Sequence, residues 1–320
     1  MADIRIGILT IREKWAMLTA GEVLTEAFPD AFRVEAAAIP SLDNFFSILA
    51  AAENGIEILS TDEIRVLEYP WQLFLWNDQA MREDFRLITA NRKSAPLSST
   101  NTVINAAQVF IEAGATVEHS FLNASTGPIY IAKNATVMEG NMVRGPFALG
   151  ENSVLKMGSK VYGATSIGPG CVAGGEIKNS ILFANSNKAH DGYLGDSVLG
   201  EWCNLGAGTS NSNVKNTGAA VKYIINEEQE MHYAGNKAGL LMGDYSRAAI
   251  NTSFNTGTIV GVCCNIFGDA PSKFIPDFSW GRERYIFEKA IQDISNWKQM
   301  KQQALSAEET TTLQQLYLSK

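Results

Sequence analysis

A six-residue spacing of aliphatic residues is the feature that most restricts how this 320-residue chain can fold. From position 131, every sixth residue is aliphatic or small, and the spacing returns in a shifted register after a gap. The positions are Ile131, Val137, Val143, Leu149, Leu155, Val161, Ile167 and Ala173, then Leu199 and Leu205, then Met242, Ala248, Phe254, Val260 and Ile266. A period of six fits neither the 3.6 residues of an α-helix turn nor the seven of a coiled coil.

This period is typical of a left-handed parallel β-helix, in which each hexad makes one flat face and three hexads close a coil of about 18 residues. The aliphatic residue points into the prism, and small residues are needed where the chain turns a corner. A small residue does recur four positions after the aliphatic one, at Ala135, Ser153, Ser159, Thr165 and Cys171. The alternative is a β-sandwich with coincidental spacing. The sequence therefore predicts a mainly β chain with a β-helix over residues 103–272.

The segments on either side of the repeat predict a different structure. Residues 1–95 alternate strand-like and helix-like patterns, with a strand at Ile4, Ile6 and Ile8, helices over 15–28 and 42–54, and a further helix that begins near Pro70. This pattern predicts a small α/β domain, followed by a polar linker over 96–102. Residues 273–320 have helical spacing and are expected to cap the open end of the solenoid, with a partner-binding segment as the alternative.

Charge and cysteine spacing exclude several classes of function. The net charge of −8 argues against a nucleic-acid-binding surface, because phosphate backbones require a basic face. No apolar run approaches the roughly 18 residues that a membrane span needs, and the four cysteines have no CxxC spacing. The three histidines lie 71 and 42 residues apart, which disfavours a zinc site built from adjacent coils. The chain is expected to be soluble, cytoplasmic and reduced, without a metal.

The repeat is broken at 179–193 and at 209–239, where loops are expected to project and sites to form. The segment KAHDGYLGDSVLGEWCNLGAGTSNSN at 188–213, with GPFALGENSV at 145–154 and NKAGLLMGD at 236–244, resembles a known family. It is similar to the acetyltransferase half of the bacterial bifunctional N-acetylglucosamine-1-phosphate uridyltransferase/glucosamine-1-phosphate acetyltransferases. Archaeal sugar-1-phosphate nucleotidylyltransferase/acetyltransferases share these motifs.

The resemblance implies acetyl-CoA as co-substrate, an amino-sugar phosphate as acceptor and a homotrimer with acyl-CoA between neighbouring prisms. It assigns the catalytic base to His190, a sugar contact to Asn204 and an N–H directed at the thioester oxygen to Ala207. The substrate-binding residues that it implies are Lys178, Tyr193 and Lys237, with Lys160 where the family has a phosphate-binding arginine. Lysine can supply charge there but not a bidentate fork.

The residue types suit this chemistry. An amino sugar must lose a proton to attack a thioester, and a histidine can accept it near neutral pH. The oxyanion that forms requires a donor, and a Gly-Ala-Gly corner leaves a backbone N–H accessible. For assembly, the outward residues Ala132, Met138, Tyr162 and Gly168 are rather apolar for a solvated face, which favours a trimer interface.

Two other functions stay open at this point. Residues 1–100 contain only Gly7, Gly21 and Gly55, none near another, so the Gly-rich loop that holds a nucleoside triphosphate is not expected there. The N-terminal part is therefore interpreted as a reduced nucleotidyltransferase-like remnant. The alternatives to acetyl transfer are a non-catalytic sugar-nucleotide-binding or assembly protein, and a nucleotidyltransferase truncated at its N-terminus.

Overall fold

A computed structural model describes residues 3–20, 37–54, 56, 64–226, 228–268 and 271–319. Most of it is a parallel β-helix whose strands lie on three faces, with a mixed N-terminal segment and two C-terminal helices. The helices are α1 (Ile11–Thr19), α2 (Phe45–Glu53), α3 (Gln72–Thr89), α4 (Phe287–Met300) and α5 (Ala307–Leu318), with a 3₁₀ turn at Ala106–Gln108.

The three faces are numbered here in the order in which the chain reaches them. Face 1 comprises Thr102–Ile104, Phe121–Asn123, Met142–Arg144, Lys160–Tyr162, Glu176–Lys178 and Tyr193–Gly195, continued by Ser210–Asn211 and Ser253–Phe254. Face 2 comprises Val109–Ile111, Ile129–Ile131, Phe147–Leu149, Thr165–Ile167, Ile181–Leu182, Val198–Leu199, Leu240–Met242, Thr258–Val260 and Phe274–Ile275. Face 3 comprises Thr116–Val117, Thr136–Val137, Val154–Leu155, Val172–Ala173, Asn187–Lys188, Asn204–Leu205, Arg247–Ala248, Asn265–Ile266 and Ser279–Trp280, to which Glu283–Arg284 adds an antiparallel strand.

The strand register confirms the predicted coil. Thr136 pairs with Val154 and Val154 with Val172, so each turn there takes 18 residues. Every aliphatic position of the two hexad runs lies in one buried core inside the prism. The five small residues that follow them in the repeat are fully buried as well. The alternative of a β-sandwich with coincidental spacing is therefore wrong.

The two breaks in the repeat have different structures. At the first break, Val172 pairs with Asn187, so this coil has only 15 residues and is shorter than its neighbours. The expectation of a projecting loop is wrong there, because the chain loses residues instead of gaining them. At the second break, Asn204 pairs with Arg247, and the inserted residues form an antiparallel hairpin of Val221–Ile224 and Met231–Gly235.

Helix α3 covers the outer side of face 2. Its Met81, Phe85 and Ile88 pack against the outward-pointing Tyr130 and Ala148. Further along the same face, the N-terminal core extends over the outward residues of the next coils, Ile181, Val198 and Leu241. Face 2 is thus buried within the chain itself.

Because the N-terminal segment covers face 2, two of the residues predicted to form an apolar trimer interface are not on the surface. Ala132 lies in the cluster under α3 and is only 8% exposed. Gly168 is buried too, and a Cβ added there would come within 2.8 Å of Leu182 O. Three of the large apolar residues that are exposed, Ile104, Phe121 and Met142, lie on face 1 instead.

The N-terminal segment is built around two short strand pairs. Arg5–Ile6 pairs with Leu9–Thr10, and Ala38–Ile39 pairs with Arg65–Val66. Helix α1 begins earlier than predicted, at Ile11, because Thr10 and Glu13 form a capping box. The rest of the helix predicted over 15–28 lies outside the described residues from position 21 onward.

A buried network joins this segment to the β-helix. The Lys14 ammonium pairs with the Asp84 carboxylate, both nearly inaccessible to solvent, and Asp84 also accepts the N–H groups of Ile8 and Leu9. Asn77 of α3 donates to Ala164 O at 2.8 Å. Paired charges and a satisfied amide allow this polar contact to be buried.

Residues at both ends of the β-helix pack against its coils. The stretch predicted as a linker lies on the first coil, where Ala95 N–H donates to Ile111 O at 2.7 Å and Leu97 contacts the core. Helices α4 and α5 cover the last coil, and Lys301 reaches back to donate to Gly170 O and Asn185 O.

In the ranges that the structure describes, no helix has the length and apolar character required to cross a membrane.

Candidate active site

The corner between faces 3 and 1 brings His190 and Ala207 together on consecutive coils. Gly208 N–H donates to Asp191 O at 3.0 Å, which stacks the two corners directly. The His190 side chain is exposed. Ala207 O accepts Asn251 N–H at 2.7 Å, whereas no bond of the Ala207 N–H is found within the described ranges. A proton acceptor and an available backbone donor therefore lie side by side.

A buried lysine supports this corner from inside the prism. Lys188 pairs in register with Ala173, so its side chain points inward, and it is 2% exposed. Its Nζ donates to Gly174 O at 3.0 Å and also to His190 O. Burial lowers the pKa of Lys188 to about 8, because the desolvated interior disfavours the charged form. The backbone carbonyl of the candidate base is thus fixed by an interior amine.

The corner also requires a glycine at position 192. Gly192 has φ +122°, and a Cβ added there would lie 2.1 Å from Thr209 O of the next coil. Only glycine allows the backbone to pass so close to the stacked corner. The segment between His190 and Tyr193 is therefore fixed by the stacking of the coils.

Face 1 presents the basic and phenolic residues predicted for substrate binding. Lys160 pairs with Glu176, which pairs with Tyr193, so these three residues form one row across adjacent strands. Lys178 lies in the neighbouring row beside Tyr162. The Tyr162 hydroxyl donates to Glu176 at 2.6 Å, and this carboxylate, with some burial, raises the pKa of Tyr162 to about 12.

Asn213, which the sequence analysis did not single out, connects Tyr193 to the hairpin insertion. Its side-chain amide donates to the Tyr193 hydroxyl at 3.0 Å and to the buried Asp196 carboxylate. Burial, together with the Asp196 charge, raises the pKa of Tyr193 still further above neutral pH. Asn213 O accepts Ala238 N–H at 2.9 Å, which holds the exposed Lys237 next to this group.

Asn204 lies on the other side of the corner. Its neighbour Leu205 points into the core, so Asn204 points outward from face 3, away from the row on face 1. There it lines a cavity of about 320 Å³ together with Asn187, Ala189, Trp202 and Arg247, and α4 contributes Trp297 to the opposite wall. Within one chain, the predicted site is therefore divided between two faces that meet at His190.

The other two histidines lie away from this corner. His119 occupies a left-handed turn position with φ +49°. His232 lies on the hairpin, where its ring packs 4.9 Å from that of Tyr69 and its Nε2 lies 2.8 Å from Glu230. His119 is therefore part of a corner turn, and His232 takes part in contacts of the hairpin.

Sequence comparison finds the similarity that the motifs indicated. A protein named bifunctional protein GlmU from Methanocaldococcus jannaschii is 33% identical over 120 residues, which cover 36% of this chain and 28% of that protein. A bifunctional sugar-1-phosphate nucleotidylyltransferase/acetyltransferase from Sulfurisphaera tokodaii is 30% identical over 95 residues, covering 30% of this chain and 23% of that one. The chain thus matches less than a third of the length of these relatives. The resemblance to a GlmU-like acetyltransferase half is confirmed.

Family models and solved structures add little to this sequence similarity. No family model matches the chain. A crystal structure of a hexapeptide transferase family protein from Anaplasma phagocytophilum aligns with 68% of this chain and 90% of that one. Its TM-score of 0.26 and identity of 14% are too low to bear on function.

Proposed function

We propose that the chain is an acetyl-CoA-dependent N-acetyltransferase that acts on an amino-sugar phosphate such as glucosamine-1-phosphate. The observation that carries this proposal is the stacked corner, where an exposed imidazole lies one coil from a backbone N–H for which the described residues supply no acceptor. Acyl transfer to an amine needs these two groups together, a base for the amine proton and a donor for the developing oxyanion. The similarity to GlmU proteins supports the same reaction class.

In this mechanism the acceptor lies over face 1. Lys160 and Lys178 attract its phosphate, each as a point charge on its own strand, and Lys237 adds a third cation beside Asn213. The Tyr193 phenol, which is protonated at neutral pH, offers a hydrogen bond to the sugar. These contacts bring the amino group toward the corner.

His190 then removes a proton from the amine as nitrogen attacks the thioester carbonyl that acetyl-CoA supplies. The Ala207 N–H stabilises the charge on the carbonyl oxygen, and Asn204 orients the reactants from face 3. As the C–S bond breaks, His190 gives this proton to the departing thiolate, which leaves as free thiol.

The test follows free thiol released from acetyl-CoA with a panel of amino-sugar phosphates. His190→Ala should lower kcat by about 10²–10⁴-fold, the usual effect of removing a general base. Its thermal unfolding should not change, because an exposed side chain leaves no cavity. His119→Ala, at another exposed corner, is the matched control and should keep wild-type turnover. Equal rates for wild type and His190→Ala would remove His190 from the mechanism.

The same preparation separates the competing functions. Transfer to none of the acceptors, together with binding of a sugar nucleotide, would favour the non-catalytic alternative. Magnesium-dependent pyrophosphate release from UTP and a sugar-1-phosphate would instead show a nucleotidyltransferase.

We also propose a homotrimer that assembles through face 1. Ile104, Phe121 and Met142, all more than half exposed, lie on successive strands of this face, beside the proposed acceptor site. Light scattering should give three times 34.8 kDa for the wild type. Phe121→Glu should give the single-chain mass, and a wild-type monomer at micromolar concentration would contradict the assembly.

A further inference from the structure

The hairpin insertion depends on the N-terminal segment for its packing. A two-stranded hairpin on its own is only marginally stable in water, so it needs a further surface against which to bury its apolar side. Val221, Tyr223 and Ala234 of the hairpin are buried in one core with the N-terminal segment. The Tyr223 ring stacks on that of Trp71, with the two centroids 5.3 Å apart. The residues just before α3 therefore provide the surface on which the hairpin lies.

Further ring contacts strengthen this packing. The Tyr69 ring also stacks on Trp71, at 4.5 Å and with an angle of 8° between the two planes. His232, which pairs with Tyr223 across the hairpin, lies 4.9 Å from the Tyr69 ring and 5.9 Å from that of Trp71. Aromatic pairs stabilise a contact beyond the area that they bury. Both strands of the hairpin are thus fixed to the same two aromatic side chains of the N-terminal segment.

A chain of hydrogen bonds continues from Tyr223 to the row of residues on face 1. The Tyr223 hydroxyl donates to Gly239 O at 3.3 Å, just after the hairpin. Gly239 N–H in turn donates to Asp196 O at 2.8 Å. The Asp196 carboxylate accepts a hydrogen bond from the Asn213 amide, which also donates to the Tyr193 hydroxyl at 3.0 Å. The aromatic stack is thus joined to the proposed acceptor site by a contact at every step.

The hairpin also sets the position of two groups at its base. Asn213 precedes the hairpin and Lys237 follows it, so they lie where the chain leaves the β-helix and where it returns. Ala238 N–H donates to Asn213 O at 2.9 Å, which joins these two ends. The return is closely packed, because a Cβ added to Gly239 would meet Gly195 O of the neighbouring coil. A shift of the hairpin would therefore move both groups that the proposed function places beside the acceptor.

We propose that the N-terminal segment sets the affinity for the acceptor, with Trp71 and Tyr223 as positioning residues that hold Asn213 and Lys237 through the hairpin. Both rings are buried, so they act through the residues at the base of the hairpin. This role gives the N-terminal segment a part in acetyl transfer that requires no nucleotide site of its own. The identity of the acceptor rests on the proposed function, whereas the contact between segment and hairpin does not.

The first measurement is the steady-state kinetics of acetyl transfer by the full chain, with glucosamine-1-phosphate as acceptor. Tyr223→Phe keeps the stacked ring but removes the hydrogen bond to Gly239 O, which still accepts Thr258 N–H at 3.2 Å. This variant should raise the KM about 3–10-fold, the usual effect of losing one hydrogen bond, with kcat unchanged. Tyr233→Phe is the matched control, because this tyrosine is exposed on the same hairpin, and it should keep the wild-type KM.

The second measurement is amide hydrogen exchange followed by mass spectrometry, which needs neither acceptor nor acetyl-CoA. Trp71→Leu removes the aromatic stack, so the bonded amides of Ala238 and Gly239 should exchange about 10-fold faster than in the wild type. The amide of Val154, bonded on face 3, should keep its rate. Tyr223→Phe is measured as well, since it keeps the core filled in case Trp71→Leu does not fold.

The two measurements separate the possible interpretations. Faster exchange at the hairpin base together with a raised KM supports the proposal. A lower kcat at unchanged KM in Tyr223→Phe, as expected if this residue only supports the fold, overturns it, and so do unchanged exchange rates in both variants. If the wild type transfers no acetyl group but Trp71→Leu speeds the exchange, the proposed function is wrong, while the link between the N-terminal segment and the hairpin base stands.

Discussion

Lys188 allows a quantitative test of the interior of the β-helix. The side chain lies inside an apolar prism, with its Nζ bonded only to the carbonyls of Gly174 and His190 in the described structure. An uncharged amine still has two N–H groups for these two carbonyls. The pKa falls from 10.5 to about 8 because charge is disfavoured there.

The shift sets both the size and the sign of a pH effect. A pKa lower by about 2.5 corresponds to about 3 kcal/mol at about 1.4 kcal/mol per unit. The folded state binds fewer protons than the unfolded state between pH 8 and 10.5, so the free energy of unfolding rises with pH across this window. Below pH 8 the full cost of charging the buried amine is present, and above 10.5 it has disappeared.

We therefore expect Lys188→Met to remove this pH dependence. The stability of the wild type relative to Lys188→Met should increase by about 2–3 kcal/mol between pH 7 and pH 10. Urea unfolding of both proteins, followed by circular dichroism at several pH values, measures the difference, and the other titrating groups cancel because both proteins share them. Lys133→Met removes an exposed lysine and should show no such slope. A constant difference between wild type and Lys188→Met over this range would refute the inward, desolvated position.

Three further results follow from the contacts. Asp84→Asn should destabilise the chain by about 3–5 kcal/mol in urea unfolding, because it leaves Lys14 charged and unpaired in the interior, and adding Lys14→Met should recover most of the loss. Asn213→Ala should raise the KM for the sugar phosphate about 10-fold with a smaller effect on kcat. Adding Tyr193→Phe to this variant should raise the KM little further, since both substitutions remove the same hydrogen bond between the two side chains. Lys160→Arg should lower that KM about 3–10-fold if this position contacts phosphate, because a guanidinium binds it in a bidentate manner, and an unchanged KM would place the phosphate elsewhere.

The interior of the β-helix could be predicted from the sequence because it imposes one requirement at a fixed spacing. Each coil brings an aliphatic residue to the same place, so Leu155 and Val161 report the fold by position alone. The same rule would have found Lys188, since Leu182, Lys188 and Leu194 continue the six-residue spacing across the first break. The inward position of Lys188 is not predicted by the pattern alone, because the other inward positions of the repeat carry aliphatic residues.

The outer surface could not be predicted in the same way. Nothing in the sequence indicates that α3 covers Tyr130 and Ala148 on face 2. An amphipathic helix requires an apolar surface to pack against, but its sequence does not specify which surface. For this reason the sequence wrongly predicts that Ala132 belongs to an intermolecular surface. The partners of polar side chains could not be predicted either: Asn213 reaches Tyr193 because Ser210 and Asn211 stack its coil directly on the coil of Tyr193.

The residues of the candidate site lie on two faces of the β-helix, which meet at the corner of His190. The lysines Lys160 and Lys178 lie on face 1, and Asn204 lines a cavity on face 3. Backbone hydrogen bonds between stacked coils, such as that from Gly208 N–H to Asp191 O, hold this corner in place. The reacting groups are then fixed by the scaffold before either ligand binds, and little ordering cost remains for the reaction. Lys188 contributes to this rigidity, because its contacts with the carbonyls of Gly174 and His190 hold the turn in which His190 is presented.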